Sequence, residues 1–534
     1  MIRYLFLLSF ISALLSAEIS FKELSSKPTS RAKDFLIWQY LRQDISNEQA
    51  HAAYSLSSKH NKKLTKLYGK YSDDPYINYK AACQKKKDLF AIYDKKCFKL
   101  ALSPYKTLVL SHKQRVALAK KVDSPKFVEL LKIQNEPYNV EAYRRYSADA
   151  ILKMFIYTTS SHRRKNLNIK LDKKFMNTIA SSNRIHYFIK MVMSDNKLDK
   201  LQQSLFLIDP TRLNADDNFA LAIHKLKLNY KQSAIKHLKS AYLKEKNSFD
   251  KDKIDFWLYL ASKDKKYLKN LLLSDSINIY TLYAHEKMNV KIHNYFHALN
   301  TNNSKSKINL QNPFQWLELR NKINSTPHDK LFDLASKYKE KSMLPVQAYI
   351  LEKANSFKLH GYIMPYDLYL KDISNDTKAL TYAIMRQESN FIPSALSRSF
   401  ALGLMQIMPF LIDAMSKHEK EDVEYSDMFK PEVNLKYAIK HIEWIKKSLY
   451  HPLFIAYGYN GGVNFFRKHL KTGAFLNEEY EPFSSMELMN NSQSREYGKK
   501  VLANYVMYKR ILGENVSIIH LFQKLKDSKQ NHRF

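Results

Sequence analysis

Apolar residues recur with helical spacing along most of the chain between about residues 25 and 300. Two neighbouring stripes are Phe219, Ala222, Ile223, Leu226 and Tyr230, then, after a break at 229–231, Ile235, Leu238 and Tyr242. The pattern returns about 35 positions later with Ile254, Trp257, Leu258 and Ala261, followed by Leu268, Leu271 and Leu272. A single helix pair cannot bury its apolar face, so such pairs stack. The pattern therefore predicts an all-α fold that begins with a superhelix of helix pairs.

The distribution of glycine divides the chain. Of its nine glycines, only Gly69 and Gly361 precede residue 400. A glycine-poor region suits continuous helices, because turns and strands draw on glycine. Residues 301–309 (TNNSKSKIN) are polar and predict a linker. We therefore predict a superhelix domain over 18–300, a small helical linker domain over 301–365 and a separate α-rich domain over 366–534.

The first residues, MIRYLFLLSFISALLSA, combine one arginine, an apolar run and small residues. This order predicts a secretory signal peptide over residues 1–17, cleaved after Ala17. The apolar run is short for a membrane span, and an uncleaved anchor is the alternative. No later stretch approaches 18 uninterrupted apolar residues, so we predict an exported periplasmic protein without an integral membrane segment after cleavage.

Cys83 and Cys97 are the two cysteines of the chain. Outside the cytoplasm they could form one disulfide, and closing a loop of this size contributes about 3 kcal/mol to stability. The alternative is two reduced thiols in a core.

The stretch 385–409, MRQESNFIPSALSRSFALGLMQIMP, carries the clearest chemical signal. One face of its predicted helix is formed by Leu380, Ile384, Glu388 and Phe391. Pro393 ends this helix. A carboxyl group among apolar neighbours loses hydration, so its pKa rises and it can act as a general acid near neutral pH. The alternative is a surface Glu388 paired with Arg386 or a lysine.

Residues 385–409 resemble the first two motifs of the soluble lytic transglycosylase family, whose catalytic domain is lysozyme-like. The family reads E-S-x-F/W-x-P, then a serine, then G-L-M-Q-x-M-P. The matching residues are Glu388, Ser389, Phe391, Pro393, Ser397, Gly403, Leu404, Met405, Gln406, Met408 and Pro409. The family also joins a ring- or U-shaped helical superstructure to this domain, in agreement with the predicted superhelix.

Three later segments resemble further family motifs. Residues 458–462 (GYNGG) are similar to A-Y-N-A-G, and residues 494–501 are similar to the helix E-T-R-x-Y-V-x-x-V, in which Tyr497 would point toward the catalytic carboxyl. The alternatives are a glycine-capped helix end for the first and a core tyrosine for the second. A structural segment that introduces a packing helix is matched by Phe429, Pro431, Asn434 and Leu435. Departures from the family's usual Gly, Thr and Glu stand at Phe400, Leu411 and Gln493.

The resemblance implies a peptidoglycan lytic transglycosylase in which Glu388 acts first as an acid and then as a base. It would cut the bond between N-acetylmuramic acid and N-acetylglucosamine and leave a 1,6-anhydro end. The resemblance also implies substrate contacts from Ser397, Met405, Gln406, Met408, Tyr459, Asn460 and Tyr497. An ordinary retaining glycosidase needs a second carboxylate about 5–5.5 Å away, and none is evident. A lysozyme-type hydrolase of the same fold and a non-catalytic cell-wall-binding scaffold are the alternatives.

The formal net charge of +36 bears on partners. Basic segments between aromatic residues can bind nucleic acid, but no nucleic-acid-binding motif accompanies them and export would separate the protein from nucleic acid. The charge fits either attraction to peptidoglycan, whose peptide stems carry carboxylates, or solvated helix faces. No H-E-x-x-H, C-x-x-C pair, P-loop or calcium loop is present. We predict no metal or cofactor, no nucleic acid, a glycan-strand partner and a monomer, with any cell-wall enzyme partners unspecified.

Overall fold

The chain is all-α. The computed structural model describes residues 18–58, 61–71, 75–476 and 478–526. Its only named strands in these ranges are a short parallel pair, β1 (Tyr295–Phe296) and β2 (His360–Gly361), which confirms the predicted fold class. The predicted signal peptide over 1–17 lies outside the described residues. No helix in the described ranges has the length and hydropathy required to cross a bilayer.

The first part of the described chain consists of short helices separated by turns. They are α1 (Phe21–Ser26), α2 (Arg31–Tyr40), α3 (Asn47–Ser55), α4 (Lys62–Tyr68), α5 (Pro75–Lys85), α6 (Lys95–Ala101), α7 (Pro104–Thr107), α8 (His112–Lys121), α9 (Pro125–Ile133), α10 (Val140–Tyr143), α11 (Ala148–Ile156), α12 (Ser160–His162), α13 (Lys173–Ile179), α14 (Ile185–Met193), α15 (Asp199–Leu205), α16 (Ala215–Lys227), α17 (Lys231–Lys244), α18 (Ser248–Ser262), α19 (Lys266–Leu272) and α20 (Ile279–Lys287).

Polar N-caps, rather than glycines, separate these helices. Ser30, Ser46, Asp172 and Asn214, for example, each accept a backbone N–H of the first helical turn. Such a cap satisfies one of the donors that a helix start leaves unpaired. The glycine-poor region is therefore interrupted more often than expected, because serine, asparagine and aspartate can start a helix without a glycine before it.

Helices α16 to α19 form the helix pairs predicted from the apolar stripes. The predicted break falls between the end of α16 and the start of α17. Ala222, Leu238 and Trp257 are completely buried in one core. Tyr230 is more than half exposed, because α16 has ended before it, so its predicted place in the stripe is wrong.

Cys83 of α5 and Cys97 of α6 are joined by a disulfide. Both are buried in a small apolar cluster that includes Leu89 and Leu118. The bond joins two short helices that pack in this small core. Of the two alternatives, a disulfide or two reduced thiols, the structure therefore contains the disulfide.

A second group of helices follows the superhelix. It comprises α21 (Pro313–Ser325), α22 (Leu331–Ser336) and α23 (Leu344–Ala354). These helices share an apolar cluster that also includes Ile392, beside the Glu388 segment. The boundaries at residues 300 and 365 stay predictions.

The last part of the chain contains the helices that carry the candidate site. They are α24 (Asn375–Ser389), α25 (Pro409–Glu419), α26 (Pro431–Lys446), α27 (Pro452–Gly461), α28 (Val463–Leu470), α29 (Phe483–Leu488), α30 (Ser492–Ile511) and α31 (Ile518–Lys524). Short 3-10 or π segments lie at Arg163–Leu167, Pro210–Arg212, His328–Lys330, Lys341–Met343, Asp367–Leu370 and Tyr425–Phe429. Helix α30 packs against both α24 and α27.

The first helices of the chain contact the segment between α24 and α25 directly. On α2, the rings of Phe35 and Trp38 lie 5.5 and 5.6 Å from the ring of Phe400. Asn61 Nδ2 donates to the carbonyl of Arg398 at 2.9 Å. One apolar core therefore extends from the N-terminal helices to the C-terminal ones.

Candidate active site

Glu388 lies in the last turn of α24, at the border between core and surface. Leu380 and Ile384, one and two turns earlier on the same face, are buried, and Phe391 is buried just beyond the helix. The helix ends at Asn390, whose left-handed φ of 48° turns the chain away. Glu388 itself is half-buried. The apolar stripe thus brings the carboxyl group to a buried helix end, as predicted.

The carboxyl group of Glu388 has one protein hydrogen bond. Tyr497 donates its hydroxyl to Oε1 at 2.8 Å, and among the described residues no hydrogen bond engages Oε2. Burial raises the pKa of Glu388 from 4.5 to about 7, against the smaller lowering by the Tyr497 hydroxyl. At neutral pH this group can both give and take a proton.

Arg386, the sequence-based alternative partner of Glu388, is engaged elsewhere. Its guanidinium pairs with Glu352 at 2.8 Å, donates to the carbonyl of Gly361 at 2.9 Å and stacks on the ring of Tyr362. No salt bridge to Glu388 occurs in the described part of the chain. The interpretation of Glu388 as a paired surface residue is therefore wrong.

Two helix ends bring polar groups to the side of Glu388. Tyr497 is buried in the second turn of α30, and burial followed by the nearby Glu388 raises its pKa well above the usual value. Tyr459, near the end of α27, donates to the carbonyl of Met405 at 2.7 Å. Burial and the charge of Glu388 also raise the pKa of Tyr459. Both tyrosines are therefore neutral donors close to the carboxyl group.

Asn460, the neighbour of Tyr459, is held by α30. Ser494 is completely buried and donates its hydroxyl to Asn460 Oδ1 at 2.9 Å. No protein acceptor for Asn460 Nδ2 is seen in the described ranges, which leaves an amide donor for a ligand. Gly462 caps α27 with a φ of 88°, so this motif is both a capped helix end and part of the site.

The loop between α24 and α25 is held by its own polar groups. Gln406 Nε2 donates to the carbonyls of Ala395 and Gly403 at 3.0 and 2.9 Å. Ser397 Oγ accepts the backbone N–H groups of Ala401 and Ser399 at 2.9 and 3.2 Å. Ser397 makes no hydrogen bond with Glu388 among the described residues, so in this structure it orders the loop rather than the carboxyl group.

The turn that begins at Gly403 depends on close contact with α26. A side chain at Gly403 would collide with the carbonyl of Met428 and the amide of Asn434, and its φ is 77°. Asn434 is fully buried, accepts from the N–H of Met405 at 2.9 Å and donates to the carbonyl of Leu402 at 3.0 Å. Its motif position was visible in the sequence, but this bridging role was not.

The two methionines of the loop differ in position. Met405 is completely buried, so its predicted place on the cleft wall is wrong for the side chain, which faces the core. The backbone of Met405 instead holds Tyr459 and Asn434. Met408, the N-cap residue of α25, is half-buried and stays a candidate for substrate contact.

Among the described residues, no second charged group shifts the pKa of Glu388. Its pKa shift has burial and Tyr497 as its causes, with no contribution from a carboxylate or a cation of the described chain. Asp413 accepts from Tyr425, while Glu419 and Glu421 pair with Lys440 and Lys436. No group of three or more potential metal ligands occurs in the residues that the structure describes.

The departures from the family pattern have different surroundings. Phe400 is fully buried with a positive φ of 59°, a conformation in which glycine is unstrained. Here the ring packs against both Phe35 and Trp38, whose rings are stacked on each other. Leu411 packs against the core, and Gln493 is exposed at the start of α30.

A known protein family matches the part of the chain that holds most of this site. The family described as "Transglycosylase SLT domain" matches residues 369–481, which include Glu388, Gln406 and Tyr459. Among curated protein sequences, none matches significantly.

Similar solved structures are lytic transglycosylases. An inactive mutant of the lytic transglycosylase Slt from Pseudomonas aeruginosa has a TM-score of 0.50 and 15% identity, covering 93% of this chain and 89% of that one. The 70-kDa soluble lytic transglycosylase from Escherichia coli has a TM-score of 0.45 and 15% identity, covering 95% and 90%. A complex of the 70-kDa soluble lytic transglycosylase with bulgecin A has a TM-score of 0.49 and 15% identity, covering 92% and 88%.

The first of these likenesses shows a shared fold across nearly the whole chain, and the family match covers the segment that contains Glu388. The chain therefore contains a transglycosylase SLT domain over residues 369–481 and shares the fold of a solved lytic transglycosylase.

Proposed function

We propose that this protein is a peptidoglycan lytic transglycosylase, which cuts the bond between N-acetylmuramic acid and N-acetylglucosamine and leaves a 1,6-anhydro sugar end. The observation that carries the proposal is the state of Glu388. One carboxyl oxygen is held by Tyr497, the other has no partner among the described residues, and the pKa lies at about 7. A single group with these properties suits two opposite proton transfers in one turnover.

In the first step, protonated Glu388 gives its proton to the glycosidic oxygen as the bond to the anomeric carbon breaks. The electron pair of that bond leaves with the N-acetylglucosamine oxygen. The positive charge that develops on the muramic acid is stabilised by the substrate's own acetamido oxygen. The Tyr497 hydroxyl stabilises the carboxylate that forms, because a hydrogen bond to the charged form favours it.

In the second step, the Glu388 carboxylate removes the proton from the C6 hydroxyl of the same muramic acid. The C6 oxygen then bonds to the anomeric carbon, and the anhydro ring closes without water. Glu388 ends protonated, ready for the next cycle. One carboxyl group is therefore sufficient, in keeping with a pKa shift that no second charged group influences.

Neighbouring groups hold the sugars. Asn460 Nδ2 has no acceptor within the described residues and can donate to an acetamido oxygen. Tyr459 and Met408 form parts of the wall, and Gln406 and Ser397 keep the loop in shape. These roles follow from position beside Glu388 and from free hydrogen-bonding capacity.

Substitution of Glu388 tests the proposal. Glu388→Gln keeps size and hydrogen bonding but removes the proton, so release of anhydro-muropeptides should fall by about 10²- to 10⁴-fold while glycan binding persists. Glu432→Gln, at an exposed position of α26, is the matched control and should retain activity. Near-normal release by Glu388→Gln would refute the assignment.

Product masses separate the alternatives. Digestion of purified sacculi by this chemistry gives products one water lighter than those of hydrolysis, which leaves reducing ends. Products with reducing ends would favour the lysozyme-type hydrolase, and no products at all would favour a binding scaffold. Mass spectrometry of the digest therefore decides among the three functions.

We also propose that the enzyme is exported to the periplasm and acts as a monomer. The support is the apolar segment within residues 1–17 and a substrate found in the cell wall. Mass spectrometry of the secreted protein's N-terminus should give Glu18 as the first residue. Light scattering should give a mass near that of one chain.

A further inference from the structure

A buried charged cluster connects the superhelix with the helix that carries Tyr497. Lys499 of α30 is completely buried, and its Nζ lies 2.9 Å from Glu487 of α29 and 3.0 Å from Glu496. The same Nζ donates to the hydroxyl of Tyr280 at 3.2 Å, and that hydroxyl donates to Glu487. Tyr280 lies on α20, the last helix of the superhelix region.

Further charged groups complete this cluster. Arg495 lies 3.0 Å from Glu496 and donates to the carbonyl of Met489 at 3.1 Å. Despite its burial, Glu496 has its pKa lowered to about 2 by Lys499, Lys253 and Arg495. Lys253 of α18 also pairs with Asp250 at 2.6 Å. Removing one member of such a group leaves the others buried without compensation.

The cluster and the catalytic centre share one short segment of α30. Within residues 496–499, Tyr497 donates to Glu388, while Glu496 and Lys499 belong to the cluster. Between Tyr497 and Lys499, Gly498 contacts the ring of Tyr457 of α27 so closely that a side chain there would collide with it. A shift of this helical turn therefore moves the Tyr497 hydroxyl relative to Glu388.

We propose that Lys499, held by Tyr280 of the superhelix, is a positioning residue for Tyr497 and through it for Glu388. This inference rests on the proposed function of Glu388 as the acid. The superhelix then contributes to the chemistry, although none of its described residues makes a hydrogen bond with Glu388. Tyr280 and Tyr497 should act as one unit, since the first affects Glu388 only through the second.

The test uses Tyr280→Phe, which removes one hydroxyl and leaves the Glu487–Lys499 pair intact. A weakened Tyr497 hydrogen bond favours the protonated carboxyl group, so the loss of kcat/KM at high pH should move upward by as much as about one pH unit. Tyr497→Phe should give a shift in the same direction. Any loss of activity in these two variants should be a decrease in kcat rather than an increase in KM, because no substrate contact is removed.

A double-mutant cycle distinguishes positioning from general stability. If Tyr280 acts through Tyr497, adding Tyr280→Phe to Tyr497→Phe should change the pH profile no further. The matched control is Tyr508→Phe, which removes another buried tyrosine hydrogen bond of α30, to the carbonyl of Ile363 at 3.0 Å. It should lower the melting temperature without moving the profile.

Two results would overturn the inference: an unchanged profile in Tyr280→Phe, or additive effects in the cycle. A carbon-13 NMR titration of the Glu388 carboxyl group makes the same comparison between variants without turnover. Its signal is assigned as the one that is missing from the spectrum of Glu388→Gln. An inactive wild type would refute the proposed function, whereas the titration would still decide the positioning role.

Discussion

At the scale of single residues, burial of Glu388 links the chemistry of the site to the stability of the fold. Its pKa in the folded protein is about 7, against a usual value of 4.5. Between these values the folded state binds more protons than the unfolded state, so stability falls as pH rises through this range. The proposed catalytic group therefore lowers the stability of the fold at the pH where it becomes ionised.

This cost predicts the behaviour of Glu388→Gln. The amide does not ionise, so above pH 7 the variant should be more stable than the wild type by about 1–3 kcal/mol. Near pH 4 the two should be equal, because both side chains are then neutral. Urea unfolding at pH 4 and pH 8 measures the difference, and an equal gain at both values would contradict the linkage.

Phe400 combines a strained backbone with a fully buried ring. Phe400→Ala should destabilise the protein by about 3–5 kcal/mol through loss of packing against Phe35 and Trp38. Phe400→Gly loses the same packing but relieves the positive φ, so it should be about 1 kcal/mol more stable than the alanine variant. Thermal unfolding compares the two, and the usual order, with alanine more stable than glycine, would show that the strain is absent.

Local patterns in the sequence were sufficient to find Glu388 and the motifs around it. The i, i+4 stripe gave its half-buried position, because helix periodicity is a local property. The side-chain burial of Met405 and the loop-ordering role of Ser397 were not predictable, since both depend on how the loop folds against Asn434. The bridge from Tyr280 to Lys499 spans 219 positions and leaves no local signal.

At the scale of helices, the contact between α27 and α30 depends on Gly498. A glycine within a helix normally costs about 1 kcal/mol relative to alanine. Here Gly498→Ala should instead destabilise by about 1–3 kcal/mol, because the new methyl group meets the ring of Tyr457.

Gly69→Ala is the matched control for that variant. Gly69 ends α4 with a φ of −60°, and an added carbon would meet only ordinary contacts at 3.5 Å. This variant should be neutral or stabilising by up to about 1 kcal/mol. Chemical denaturation measures the free energy of unfolding of both variants. A loss of stability in Gly498→Ala but not in Gly69→Ala would support the packing argument, and an equal change in both would contradict it.

Helix periodicity predicted the element type over most of the chain, and the break between α16 and α17 was placed correctly. The frequent interruptions were not predicted, because single polar N-caps such as Ser46 and Asn214 are weak signals beside a long apolar pattern.

At the scale of the whole molecule, the predicted catalytic domain over 366–534 contacts the helices that precede it. Its surface includes Phe400 and Phe429, which are covered by α2, and Lys499, which is held in part by α20. A fragment of residues 366–534 should therefore be less stable than the full chain by at least about 3 kcal/mol and should aggregate. Melting temperature and light scattering measure both effects.

Phe400→Gly is the control, because it should help the fragment of residues 366–534 and harm the full chain. In the fragment it removes an exposed ring and should improve solubility, whereas in the full chain it removes a buried ring and should lower stability. A fragment as stable and as soluble as the full chain would show that the contact with α2 has no energetic importance.

The contact between the first helices and the loop after Ser397 also constrains the order of folding. Asn61 and Arg398 are separated by 337 positions. At about 5–20 residues per second, the ribosome needs roughly 20 to 70 seconds to make this interval. During that time the rings of Phe35 and Trp38 have no partner at Phe400, so a newly made chain exposes an apolar N-terminal patch until about three-quarters of it has been synthesised.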